Sequence, residues 1–193
     1  MASGFQSEGQ FFEDVVAWRS VWFKGRLGGG KTLAAVGVAK WLIDAKLADG
    51  VWTNFPCRLP ASSSLFRTVF IVDEAWQFLD SRTWAQNAQN LYGAWARHMG
   101  SFWLFPSIFP PDNRVRLVTV ERTLSLIVSP WPLWWYEYET LSGDSGGFRL
   151  RPDKVWPYYM SGIPTDDGGV KVAVEKFIAS RGIGLVHNKG GAE

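Results

Sequence analysis

The segment FKGRLGGGKTLAAV, Phe23–Val36, joins a glycine turn directly to a lysine, a threonine and a helix-forming stretch. Its residues Gly25–Thr32 match the pattern G-x-x-x-x-G-K-[ST] at every defined position. Glycines permit the backbone angles that turn successive N–H groups toward phosphate oxygens, and the start of a helix presents its positive end to the same anion. The segment therefore predicts a phosphate-binding loop rather than a merely flexible turn.

Each part of this loop has a chemical role in the hypothesis. Lys31 is expected to reach the β- and γ-phosphates, and the Thr32 hydroxyl is expected to ligate Mg²⁺. The nucleotide-binding residues are predicted to be Gly25, Gly28, Gly29, Gly30, Lys31, Thr32 and Leu33. The ligands that this pattern indicates are ATP and Mg²⁺.

A second signal is RTVFIVDEAW, Arg67–Trp76, a nearly continuous apolar run typical of a strand buried on both faces of a parallel sheet. Asp73 stands at its carboxyl end, where ligands collect in open α/β sheets, and is predicted to hold Mg²⁺ together with Thr32. Glu74 is placed to polarise an attacking water. Alone, the pair could simply cap the next helix. In this order after the loop, it predicts a P-loop ATPase, and the Asp-Glu pair favours hydrolysis that performs work over phosphorylation of a small molecule.

Strands that alternate with helices predict an α/β fold with a mainly parallel central sheet. The core is expected over residues 16–111, after an irregular arm over residues 1–15. Within it, a strand ends at Gly25, a helix runs from Lys31 to a stop at Gly50, and another helix covers residues 83–100. Residues 112–193 are predicted to be a strand-rich extension that completes the sheet and ends in a helix over residues 170–180. Its antiparallel strands are expected in RVRLVTV, LSLIVS, WWYEYE and FRLRP.

The composition bounds the class of protein. The chain has 193 residues, 47% of them hydrophobic, which suffices for one compact domain. A formal net charge of +2 neither favours nor excludes nucleic acid, because binding depends on a local patch. A single cysteine, Cys57, excludes an intramolecular disulfide and suits a reducing cytoplasm. No signal peptide is visible, and prolines interrupt the longest apolar stretch, so we expect a cytoplasmic protein without a transmembrane segment.

The segment GDSGG, Gly143–Gly147, matches the nucleophile segment of trypsin-like serine proteases. That chemistry needs a histidine base and a buried aspartate, and neither His98 nor His187 stands in a matching context. We therefore predict a glycine-rich hairpin turn here.

Four segments together resemble a known family. They are GRLGGGKTLAAV, GVWTNFP, TVFIVDEAWQFLDSR and ARHMGSFWLFPS. In this order they are similar to the zonular occludens toxin (Zot) domain, the ATPase of filamentous-phage assembly proteins within the FtsK–HerA group of DNA-pumping motors. The resemblance covers about Val21–Pro111, and its more specific features are Thr53-Asn54 and Arg97-His98. It implies a RecA-like fold, a homo-oligomeric ring and ATP hydrolysis coupled to movement of DNA or assembly of a virion.

Two departures from that family shape the functional expectation. The strand after the acidic one should end in a polar sensor of the γ-phosphate, and here LFPSIFPP leaves Ser107 for that role. Zot-type proteins also carry a membrane span after the ATPase domain, and this chain has none. We therefore expect a genome-packaging ATPase. The alternatives are a membrane-docked ATPase that drives filamentous virion assembly with coat or membrane proteins as partners, and a slowly hydrolysing nucleotide switch.

The resemblance also implies an arginine supplied by a neighbouring subunit to stabilise the transferring phosphoryl group. Arg97 and Arg114 are the first candidates, ahead of Arg82 and Arg116. A DNA motor further needs basic residues along a channel, because backbone phosphates dominate affinity. The candidates for that surface are Arg114, Arg116, Arg122, Arg149, Arg151 and Lys154.

Overall fold

A computed structural model of the chain describes residues 8–74, 98–110, 116–128 and 131–159. The helices in these ranges are α1 (Glu8–Trp18), α2 (Lys31–Asp44) and the short α3 (Pro152–Val155), which a 3₁₀ turn over Trp156–Tyr158 follows. The strands are β1 (Ser20–Lys24), β2 (Gly50–Thr53), β3 (Thr68–Ile71), β4 (Phe102–Pro106), β5 (Val118–Val128), β6 (Trp131–Thr140) and β7 (Ser145–Leu150).

These strands form one seven-stranded sheet in the order β2-β3-β4-β1-β5-β6-β7. The five strands from β2 to β5 in this order pair in parallel, whereas β5, β6 and β7 pair antiparallel. The prediction of a mixed α/β sheet, mainly parallel with an antiparallel extension, is confirmed. Since β4 lies between β1 and β3, the carboxyl ends of all three strands meet at the same edge of the sheet.

The central strands are apolar because the sheet is covered on both faces. All four residues of β3 and all five of β4 are buried. Val21 and Phe23 of β1 belong to the same hydrophobic core as Leu33 and Val36 of α2. Packing of α2 on β1 therefore holds the intervening loop at the carboxyl edge of the sheet.

The prediction of an irregular arm is wrong for residues 8–15, because Glu8–Trp18 forms helix α1, whereas residues 1–7 lie outside the described residues. Phe11 and Val15, one helical turn apart, are fully buried, and the Phe11 ring stacks on Phe148 of β7 at 4.0 Å between centroids. The Tyr138 hydroxyl donates to Asp14 Oδ2 at 2.9 Å. A short helix gains most of its stability from tertiary packing, and these partners lie far away in sequence.

Several boundaries also differ from the expected ones. Helix α2 ends at Asp44 rather than at Gly50, which instead begins β2. The two strands expected in RVRLVTV and LSLIVS are one strand, β5, whose pairing with β6 shifts between Arg122 and Leu124. Such a shift lets a long strand bend without ending.

The hairpin turn predicted in GDSGG is confirmed between β6 and β7, where Gly143 has φ +91° and its N–H donates to the Thr140 carbonyl at 3.0 Å. The helix predicted over residues 83–100 lies outside the described residues except at its end, and the helix predicted over residues 170–180 lies wholly outside them. In the parts of the chain that the structure describes, none of the helices has the length and apolar character of a membrane span.

Candidate nucleotide site

The glycine loop occupies the carboxyl end of β1, between Lys24 and the first residue of α2. Gly25, Gly28 and Gly30 have φ values of +143°, +71° and +79°, a backbone region that L side chains rarely adopt. The Gly29 N–H donates to the Arg26 carbonyl at 2.9 Å, and a Cβ at Gly29 would lie 2.7 Å from that oxygen. This loop therefore needs its glycines.

Lys31 is the first residue of α2, and its side chain returns over the loop. The residue is 7% exposed, and its Nζ donates to the Arg26 carbonyl at 3.1 Å. Within the described ranges, the Arg26 carbonyl is the one hydrogen-bond partner of this ammonium, which carries three donors. A buried cation with donors to spare is suited to an anion such as a phosphate.

Thr32 and Asp73 meet at the centre of the site. The Thr32 hydroxyl lies 3.3 Å from both Asp73 carboxylate oxygens, although one residue belongs to the first turn of α2 and the other follows β3. Hydroxyl and carboxylate oxygens are ligands that Mg²⁺ accepts, usually with substrate phosphates and waters completing the shell. Over the described ranges, no three His, Cys, Asp or Glu side chains cluster into a metal site of their own. The hydroxyl and carboxylate oxygens of the pair suit Mg²⁺ by their chemistry.

Burial raises the pKa of Asp73 to about 6, and the negative charge of Glu74 acts in the same direction. The hydrogen bonds from Thr32 and from the Glu74 N–H, together with the charge of Lys31, oppose the rise. The Asp73 carboxyl is thus ionised at neutral pH, but its burial carries a free-energy cost that a bound cation would offset.

Asn54 holds the main chain of Asp73. Its Nδ2 donates to the Asp73 carbonyl at 2.9 Å, and its Oδ1 accepts from the Asp73 N–H at 2.8 Å. Asn54 is 3% exposed and directly follows β2. Its side chain bonds to the main chain just beyond β3, after the last paired residues of the two strands, Thr53 and Ile71. Sequence reasoning marked Thr53-Asn54 only as a feature of a resemblance. A polar residue at the end of a buried strand was the available signal for a positioning role.

Glu74 has a strained backbone. Its φ is +49°, which costs a residue other than glycine about 1–2 kcal/mol. Its N–H donates to the Pro106 carbonyl at 2.9 Å, and its Oε2 accepts from the Ile108 N–H at 3.4 Å. Such strain persists where neighbouring contacts fix the conformation, and it concentrates at functional sites. Glu74 thus sits beside Asp73 at the edge where β3 and β4 end.

Ser107, the expected sensor, is fully buried and uses its hydroxyl elsewhere. The hydroxyl donates to the Phe109 carbonyl at 2.5 Å and accepts from Trp22 Nε1 at 3.2 Å. Within the described residues, no hydrogen bond joins it to Lys31, Thr32 or Asp73. The strand end is where it was expected, but Trp22 determines the direction of the side chain.

The expected arginines are only partly described. Arg97, Arg114 and Arg82 lie outside the described residues. Of the basic residues expected to face DNA, Arg149 pairs with Glu8 at 2.6 Å and Arg151 pairs with Asp153 at 2.8 Å. Both charges are therefore partly neutralised within the chain.

Residues of the extension, which sequence reasoning did not place here, complete the surroundings of the loop. The Tyr136 hydroxyl of β6 donates to the Gly30 carbonyl at 3.3 Å. The Tyr159 ring packs on Phe55 at 5.8 Å, and burial followed by the charge of Asp73 raises the pKa of Tyr159. No local pattern could indicate these residues, because only the fold brings them to the loop.

We expect Asp73→Asn to stabilise the nucleotide-free protein above pH 6. The folded-state pKa of about 6 exceeds the ordinary 3.8, so folding disfavours the ionised carboxyl, and the penalty is present above pH 6 and lost below pH 3.8. The difference corresponds to at most about 3 kcal/mol in the free energy of unfolding. Denaturant unfolding over a pH series measures it, with the exposed Asp44→Asn as control. A stability difference between wild type and Asp73→Asn that did not change with pH would contradict this prediction.

No protein-family model matches the chain, and none of the curated proteins matches it significantly.

Proposed function

We propose that this chain is a Mg²⁺-dependent ATP hydrolase with a RecA-like fold. The observation that carries the proposal is the approach of Thr32 to both carboxylate oxygens of Asp73, at 3.3 Å. Thr32 was predicted from the glycine loop and Asp73 from the acidic end of the apolar strand, and both carry oxygen ligands of the kind that Mg²⁺ accepts. The sheet order supports the RecA-like assignment, because β4 between β1 and β3 puts a strand end beside the place where the terminal phosphate would lie.

Each residue of the site has a part in this proposal. The loop N–H groups and Lys31 bind the phosphates, while Thr32 and Asp73 ligate the metal. Bound Mg²⁺ supplies charge neutralisation on the phosphate oxygens. Asn54 keeps the Asp73 main chain in place through its two hydrogen bonds. Glu74 orients the attacking water and accepts its proton.

We further propose that hydrolysis drives a phage-type motor that translocates or packages genomic DNA as a homo-oligomeric ring. The support for this step is the resemblance of the four segments to the Zot domain and the Asp73-Glu74 pair, which suits hydrolysis coupled to work. In such a ring, an arginine from the neighbouring subunit would complete the site.

The experiment is an ATPase assay with and without single- and double-stranded DNA, read beside a mass measurement. We expect Mg²⁺-dependent hydrolysis, an ATP-dependent oligomer and severalfold stimulation by DNA of any sequence. DNA binding should weaken with added salt, because it depends on phosphate contacts. Glu74→Gln is the variant to use for the DNA-binding measurement, since it should bind ATP without hydrolysing it.

Two results would redirect the proposal. If the ATP-bound oligomer shows no affinity for DNA at low salt, translocation is wrong and membrane-docked virion assembly becomes the better hypothesis. If one slow turnover is followed by very slow product release, with no effect of DNA, the chain acts as a nucleotide switch.

A further inference from the structure

Arg122 lies beside the glycine loop. The last paired position of β1 and β5 is Lys24 with Glu121, so the next residue of each strand brings Arg122 alongside Gly25. Val118 and Val120 are fully buried in the core that α2 shares. Because side chains alternate along a strand, Arg122 points to that same face of the sheet. It was expected among the DNA-binding residues, and its position is instead at the candidate nucleotide site.

Trp134 links Arg122 to the loop. The centre of the Arg122 guanidinium lies 4.6 Å from the Trp134 ring centroid. The ring edge rests against Gly30, since a Cβ there would lie 2.5 Å from Trp134 Cζ3. Two residues further along β6, the Tyr136 hydroxyl donates to the Gly30 carbonyl. The β5–β6 hairpin is thus braced on the start of α2, which holds Arg122 and Trp134 in a fixed position relative to the loop.

The guanidinium of Arg122 differs from those of Arg149 and Arg151, which each contact a carboxylate. Within the ranges that the structure describes, the Arg122 guanidinium makes no ion pair and no side-chain hydrogen bond, and it lies over the Trp134 ring, with Tyr136 as its cross-strand neighbour on β6. The residue is also partly exposed. A planar guanidinium that lies over an aromatic ring can also stack on a second planar group.

The sheet order indicates what that group is. β1 lies between β4 and β5, so Asp73 is on one side of the loop and Arg122 is on the other. A nucleotide whose terminal phosphate faces Thr32 and Asp73, and whose other phosphates follow the loop, would direct its nucleoside toward β5 and β6. On the basis of the proposed function, we propose that Arg122, which lies over the Trp134 ring, stacks on the base of the bound nucleotide.

The test compares two ligands, ATP and inorganic tripolyphosphate, by calorimetry with Mg²⁺ present. Arg122→Ala should weaken ATP binding about tenfold, as expected for one lost stacking contact, and should leave tripolyphosphate binding within about twofold. Arg122→Lys keeps the charge but not the plane, so it should resemble Arg122→Ala. The matched control is Arg19→Ala, which removes a guanidinium 4.8 Å from the Phe102 ring at the opposite end of β1.

Each outcome decides the matter. Equal weakening for both ligands would show a phosphate contact and overturn base stacking, as would unchanged affinity of Arg122→Ala for ATP. If Arg122→Ala does not fold, full ATP affinity in Arg122→Lys would overturn the proposal, whereas a loss restricted to ATP would support it. A wild-type protein that binds neither ligand would instead refute the nucleotide site itself.

Discussion

Lys31→Ala is expected to lose nucleotide affinity by about a hundredfold or more while it remains folded. Removing one partner of a buried, hydrogen-bonded charge pair costs about 2–5 kcal/mol of binding free energy. The fold should tolerate the change, because the buried ammonium has only the Arg26 carbonyl as its hydrogen-bond partner among the described residues. Calorimetry with ATP and Mg²⁺ measures the loss, and thermal unfolding measures the stability.

Lys40→Ala is the matched control for this experiment. Lys40 belongs to the same helix but pairs with Asp44 through the exposed Nζ–Oδ2 contact. Its removal should leave nucleotide binding unchanged and affect stability only slightly, as is usual for surface ion pairs. A folded Lys31→Ala protein that hydrolysed ATP at the wild-type rate would disprove the proposed site.

Glu74→Gln is expected to slow hydrolysis by about 10²–10⁴-fold and to leave ATP affinity close to that of wild type. The change removes the proton-accepting carboxylate, while the amide oxygen can still accept a hydrogen bond from the Ile108 N–H. Single-turnover rates and equilibrium binding, measured on the same preparation, separate chemistry from affinity.

Asp73→Asn should fail differently from Glu74→Gln. It removes a ligand of the metal, so the expected defect is weaker Mg²⁺-dependent binding of ATP rather than slow chemistry in a saturated site. Identical defects in affinity and in rate for the two variants would show that our division of roles between the neighbouring acids is wrong.

The sequence predicted the parts of the fold that local pattern controls. The strand before the glycine loop, the helix after it and the buried run before Asp73 each have a pattern that adjacent residues define. The approach of Thr32 to Asp73 could also be anticipated, because carboxyl ends of parallel strands meet at one edge of a sheet.

Contacts between distant residues could not be predicted in this way. Helix α1 depends on the stacking of Phe11 with Phe148, and the short pattern of the arm did not reveal that partner. The Ser107 side chain is oriented by the hydrogen bond that it accepts from Trp22 Nε1, on strand β1. Arg122 was expected to face DNA only as one of the basic residues of the extension, and it is the β5–β6 hairpin that brings it over the Trp134 ring beside the loop.

The separation of β1 from β3 by β4 has a mechanical consequence. Thr32 belongs to the unit of β1 and α2, whereas the main chain of Asp73 is fastened to β2 through Asn54. No main-chain hydrogen bond of the sheet joins β1 directly to β3, so the two oxygen-bearing side chains can approach or separate without breaking one between their strands. A ligand that binds Thr32 and Asp73 at once would therefore connect two structural units, β1 with α2 and β3 with β2, which β4 joins through main-chain hydrogen bonds.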